Sequence, residues 1–123
     1  MQQTALNYVE HARENQNFRE TLATGEFSQI VLMTLQPGEE IGEEVHEGDQ
    51  ILLFVEGEGE AVIEGETSPV RADDLVFVPA GTRHNFVTTG AGPLRIVTVY
   101  APPEHPDGTV HRTKAEADAA EHH

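Results

Sequence analysis

Residues 38–57 read GEEIGEEVHEGDQILLFVEG, and residues 79–86 read PAGTRHNF. The first stretch sets Glu44, His46 and Gln50 within seven residues of one another, and the second adds His84. In an extended strand, residues two apart share a face, so Glu44 and His46 are expected to point the same way. Gln50 follows Glu47-Gly48-Asp49, which reads as a tight turn between paired strands, with Gly48 free to take positive φ. His84 belongs to a later strand, behind the rigid turn Pro79-Ala80-Gly81. Two imidazoles, one carboxylate and one amide oxygen would then surround one point.

Nitrogen and oxygen donors of this kind suit one divalent ion: Zn, Mn, Fe, Ni or Co. Two histidines and a carboxylate with open positions also resemble the facial triad of non-haem iron sites. The plain alternative is that Glu44, in the acidic run Glu39-Glu40 and Glu43-Glu44, faces solvent and the histidines are ordinary core or surface residues.

Working outward, the hydrophobic period is that of strands. FSQIVLMTL over 27–35 is a strand candidate closed by the turn Gln36-Pro37-Gly38. Further candidates are Glu43–His46, Gln50–Glu56, Glu60–Glu64, Pro69–Arg71, Leu75–Val78, Asn85–Thr89 and Leu94–Ala101, many separated by glycine turns. Short, evenly spaced strands indicate a sandwich, jelly roll or barrel rather than βαβ units. Residues 5–22 read as a weakly amphipathic helix through Leu6, Val9, Phe18 and Leu22, an arm packed outside the main domain and closed by Gly25. Ala101-Pro102-Pro103 stops the last strand. In the tail, Thr113 and Glu116 form a capping-box pattern for a short helix over Lys114–Ala120. His122 and His123 read as the start of an expression tag and enter no functional argument.

The chain has 123 residues, one domain's worth of core. It holds no cysteine, which fits a reducing cytoplasm and excludes disulfides and thiolate metal sites. Residues 1–15 lack the apolar run of a signal peptide, and no apolar stretch is long enough for a membrane helix. A formal charge of −15, with 22 acidic and 7 basic residues, argues against nucleic acid and anionic membranes as partners. It reads as a solvated acidic surface; adaptation to high salt is the sharper version of the same observation.

The two motifs together resemble those of the cupin superfamily. The first family motif is glycine, five residues, His-x-His, three or four residues, Glu, six residues, glycine. Here Gly38, Glu44-Val45-His46, Gln50 and Gly57 keep that spacing. In the second motif Pro79, Gly81 and His84 match, while Asp73 stands at a usual glycine and Thr88 at a usual asparagine. The likeness covers about residues 27–101 and is closest to small stand-alone cupins, some labelled mannose-6-phosphate isomerase-like. Such sequences also share the APPEH…G…VH tail seen here at 101–111.

The resemblance implies an all-β double-stranded β-helix, a jelly-roll barrel of six to eight strands. This one would carry an N-terminal helical arm (1–26), a barrel (27–101) and a C-terminal tail with a short helix (102–123). It also implies a homodimer and a metal in the barrel mouth. His46 and His84 would be ligands, with Gln50 at the usual glutamate position and Glu44 at the usual first histidine. Phosphomannose isomerases, also cupins, place Gln-x-His at that first pair.

Residues facing the same way as the ligands should line the interior: Leu52, Phe54 and Phe86, with Ile96, Thr98 and Tyr100 on the last strand. The alternate face, Arg95, Val97 and Val99, would put a charge inside. Such a pocket suits a small polar metabolite, a sugar or a carboxylate. Arg83 could grip an anion, but reads better, like Arg71 and Arg95, as a surface residue. His105 and His111 admit a lid or an added ligand; an exposed tail tied to a neighbouring subunit is the preferred reading. Functionally, a metal-dependent isomerase, lyase or dioxygenase is expected, with Glu44 a ligand or, off the metal, a general base. A non-catalytic binding or sensing module, or a vestigial structural barrel, stands against it.

Overall fold

The computed structural model describes residues 4–121, so His122 and His123 lie outside it. The elements are α1 (Tyr8–Glu14), β1 (Arg19–Thr24), β2 (Gln29–Leu35), β3 (Asp49–Glu56), β4 (Glu58–Ile63), β5 (Glu66–Arg71), β6 (Leu75–Val78), β7 (His84–Thr88), β8 (Leu94–Ala101), β9 (Val110–His111) and α2 (Lys114–Glu121). They form a six-stranded sheet, β6-β3-β8-β2-β1-β9, and a three-stranded sheet, β5-β4-β7. Every strand pair is antiparallel.

Alternation along the strands decides what lies between the sheets. Gln50, Leu52 and Phe54 of β3 point inward, as do Ile96, Thr98 and Tyr100 of β8 and Phe86 of β7, and all seven are buried. Arg95 and Val97 lie on the outer face of the large sheet, where α1 covers them: Val97 packs with Ala12 and Leu32. Phe54 and Phe86, with ring centroids 5.7 Å apart, join the two sheets at the core.

The expected helix over 5–22 is corrected to seven residues followed by a strand. Asn7 caps α1 by accepting from the Glu10 amide at 3.0 Å. At Asn15 the backbone turns extended, and the buried Asn15 amide donates to the Asn17 carbonyl and to Thr34 Oγ1. Asparagine competes for local backbone partners and so favours a helix end over a helix interior. Arg95 Nη1 then donates to the carbonyls of Asn15 (2.7 Å) and Ala12 (3.3 Å), capping the helix C-terminus. Beyond it, Phe18 is buried in the main core and Arg19 opens β1, so neither lies on an outer arm.

The tail is corrected likewise. β9 pairs with β1, setting Arg19 opposite His111, and Ala117 of α2 is buried in the main core. The sheet thus draws strands from both sides of 27–101. The capping of α2 is as expected, with the Glu116 amide donating to Thr113 Oγ1 at 3.1 Å.

Two glycines of the first stretch are required by close approaches. Gly57, at φ +96°, turns the chain between sheets, where a Cβ would sit 2.3 Å from the Pro93 carbonyl oxygen. At Gly48 a Cβ would meet the Ala101 carbonyl oxygen at 2.5 Å and Pro102 Cδ at 2.6 Å. No side chain fits either gap.

Candidate metal centre

The segment Glu43–His46 is not a regular strand paired through a tight turn to β3, as expected. It makes a single two-way bridge with β7: the Glu44 amide donates to the His84 carbonyl at 2.8 Å, and the His84 amide to the Glu44 carbonyl at 3.0 Å. The reason is that β3 already has a partner on each side, β6 and β8. Residues opposite each other in an antiparallel pair present side chains on one face, so Glu44 and His84 emerge together. The Gly81 amide holds the His46 carbonyl at 2.9 Å, and Asp49 Oδ1 accepts from the Ala80 amide at 2.9 Å. These contacts latch the two motifs together.

Across the interior, Gln50 and Gln29 flank Tyr100 in one cross-strand row of the large sheet. His46 bridges the two walls: its ring centroid lies 5.2 Å from that of His84 and 5.4 Å from that of Tyr100. One ligand atom each from Glu44, His46 and His84 lies within 4.8 Å of the others.

Hydrogen bonding decides what these groups offer. His84 Nδ1 lies 2.9 Å from the Thr82 carbonyl oxygen, so it carries the proton and leaves Nε2 with its lone pair. His46 Nδ1 lies 3.1 Å from Glu104 Oε1, which fixes its ring in the same sense. The Nε2 atoms of both histidines are buried with no hydrogen bond, and so is Gln50 Oε1, whose amide nitrogen donates to Thr98 Oγ1 at 3.0 Å. His46 Nε2 and Glu44 Oε1 are 3.5 Å apart, in charge contact but too far for a well-formed hydrogen bond. Buried polar atoms rarely stay unpaired, and each calls for an explanation. The ligand atoms of Glu44, His46 and His84, gathered within 4.8 Å, fit a divalent cation, and the donors match Zn, Mn, Fe, Co or Ni.

Electrostatics point the same way. Burial alone would raise the Glu44 carboxyl, but His46, Arg19 and His84 outweigh it and hold it below the usual value. Burial works against a charged His46, yet Glu44 and Glu104 together raise it. The two carboxylates thus favour positive charge at this spot.

Sequence reasoning missed Arg19 and Glu104. Register places Arg19, opposite Met33, on the inner face of β1, where it is buried with Nη1 3.1 Å from His111 Nδ1. The tail after Pro102 is mostly exposed, as expected, yet it is bound to its own barrel. It folds over its own barrel end, where the buried Gln29 side chain accepts from the His105 amide at 3.0 Å and donates to its carbonyl at 2.7 Å. Arg83 does behave as a surface residue, paired with Glu43 at 3.2 Å.

Residues 31–100 match the Cupin domain family, and the chain belongs to it. It is 44% identical over 124 residues to the uncharacterized protein YrkC of Bacillus subtilis, covering 94% of this chain and 66% of that protein. The chain therefore spans slightly less than two thirds of that relative's length. Its fold is similar to the crystal structure of BH2720 from Bacillus halodurans, with a TM-score of 0.93, 41% identity, and coverage of 94% and 93% of the two chains. A predicted oxalate decarboxylase from Thermotoga maritima aligns at a TM-score of 0.64 and 26% identity, over 69% of this chain and 79% of its own.

Proposed function

We propose that this protein is a divalent-metal cupin that binds and transforms a small oxygen-rich metabolite, a carboxylate or a sugar, in the barrel mouth. The observation that carries the reading is the set of buried, unbonded lone pairs on His46, His84 and Gln50 beside the Glu44 carboxylate. Glu44, His46, Gln50 and His84 would hold the ion, which would supply Lewis-acid polarisation of a bound oxygen. The chain's own residues orient and protect the site. Thr82 and Glu104 fix the two imidazole tautomers. Leu52, Phe54, Phe86 and Ile96 close the floor and exclude water. Glu44, where it stays off the ion, would serve as a carboxylate base beside His46.

Isomerase, lyase and dioxygenase chemistry all fit this donor set. The likeness to a predicted oxalate decarboxylase favours a carboxylate over a sugar phosphate. Activity on small hydroxy acids, keto acids and sugars, assayed with Mn, Fe, Co, Ni and Zn in turn, tests the reading. Turnover that survives complete chelation contradicts it.

A metal-free binding or sensing cupin is the second reading. The Glu44–His46–Glu104 contacts favour it, because both carboxylates favour a proton on His46, which would compete with an ion. Leu75 and Phe77, exposed on the edge strand β6, support a homodimer that covers them. Light scattering in solution tests that assembly.

A further inference from the structure

The segment between β8 and β9, residues 102–109, crosses the end of the barrel where Gln50, Tyr100 and Gln29 form one row. It is pinned there from several directions. Gln29, itself buried, grips the backbone of Glu104 and His105 with both ends of its amide. The Thr21 amide donates to the Thr109 carbonyl at 2.9 Å, and β9 adds a ladder to β1. The position of His105 is therefore set by backbone bonds, not by its own ring.

That ring packs edge-on against Tyr100, with centroids 5.4 Å apart, on the residue that His46 also meets edge-on. Its Nε2 is buried and makes no hydrogen bond. His105 is not among the residues whose ligand atoms cluster within 4.8 Å. It stands beside the candidate metal centre with a nitrogen that no described residue satisfies. An unpaired buried nitrogen costs stability. Burial, helped by the Arg19 charge, pushes His105 down to about 4. At neutral pH it offers an uncharged ring with one N–H and one lone pair.

We propose that His105 is a ligand-contacting residue, the strap presenting its Nε2 to the hydroxyl of a small hydroxy-carboxylate whose carboxylate oxygen sits on the ion. This rests on the metal reading above and adds its substrate class. The ion selects an ionised oxygen, and His105 selects a second, protonated one. A carboxylate without a neighbouring hydroxyl leaves His105 unsatisfied.

The test uses the full chain loaded with Co(II), whose visible spectrum reports ligand exchange, titrated with glycolate and with acetate. The wild type is expected to bind one cobalt and to prefer glycolate. His105→Phe keeps the ring contact with Tyr100 but removes Nε2. It should retain cobalt, weaken glycolate roughly tenfold and leave acetate unchanged, while His105→Gln should recover part of the loss. Equal glycolate binding in wild type and His105→Phe overturns the inference and leaves the metal reading intact. So does a wild type that does not prefer glycolate, or loss of cobalt in His105→Phe. A wild type that takes up no cobalt overturns both.

Discussion

Glu44 and His84, forty residues apart in the chain, exchange both backbone hydrogen bonds across one antiparallel bridge, at 2.8 and 3.0 Å. Both side chains therefore rise from one face of the barrel wall, and His46, two residues after Glu44, leans in between the walls. Bringing a carboxylate and an imidazole together on backbone bonds leaves neither side chain needed to hold the other. Both are available to an ion.

Metal binding should stabilise the fold and depend on this pair. At a free metal concentration a hundred times Kd, a bound ion adds about 2.7 kcal/mol, or roughly 10 °C in a domain this size. His84→Ala is expected to abolish the rise in Tm on adding Zn or Mn, read by calorimetry with and without chelator.

Glu104→Gln removes the carboxylate that holds His46 Nδ1 at 3.1 Å. Outer partners of this kind typically change metal affinity by about 10- to 100-fold. Titration calorimetry should show that weakening with the stoichiometry unchanged. Gln50→Glu should act in the opposite direction, adding a charged donor where Gln50 Oε1 is unbonded; the Thr98 hydroxyl can reverse its bond and donate to the new carboxylate.

The pH dependence has two parts of opposite sign. Burial opposes a charged His46, but Glu44 and Glu104 raise its affinity for a proton overall. Protons therefore compete with metal up to somewhat above the ordinary histidine range, and metal affinity should climb by up to about tenfold per pH unit through that window. The raised His46 also stabilises the metal-free fold below its ordinary value of 6.5, and that contribution is lost as pH rises through the raised value. His105, depressed by burial to about 4, binds fewer protons folded than unfolded. Its contribution is constant above 6.5 and declines as pH falls from there to about 4. Denaturant unfolding of wild type and His105→Phe across pH 4–8 should show a shallower acid slope in the variant.

Gly48→Ala should disturb the strap directly, because its Cβ would lie 2.5 Å from the Ala101 carbonyl oxygen. Overpacking of this order costs roughly 1–3 kcal/mol. Denaturant midpoints, with limited proteolysis at residues 102–109, should show loss of stability and a loosened tail.

Strands β2 to β8 and the spacing of Glu44, His46, Gln50 and His84 were legible in the sequence because both rest on local rules, alternation along a strand and residue type in a motif. The departure at Asp73 is legible in hindsight: it adopts φ +79°, the left-handed conformation that glycine usually supplies and aspartate tolerates. Arg19 and Glu104 were not legible as neighbours of the site, and His105 was read as a lid or added ligand only behind an exposed tail. Arg19 sits in a segment whose apolar spacing imitates a helix, and only pairing with β2 and β9 turns it inward. Glu104 and His105 follow two prolines and have no periodicity. Their placement comes from one distant side chain, Gln29, and no local pattern announces a bond across 75 residues.

Anomalous diffraction, with elemental analysis of protein purified without nickel resin, tests the central claim most directly. The account predicts one divalent ion per chain and an anomalous peak bounded by Glu44, His46 Nε2 and His84 Nε2, with Gln50 turned toward it. Protein that stays metal-free after incubation with Mn, Fe, Co, Ni and Zn, with only water among these side chains, would contradict it.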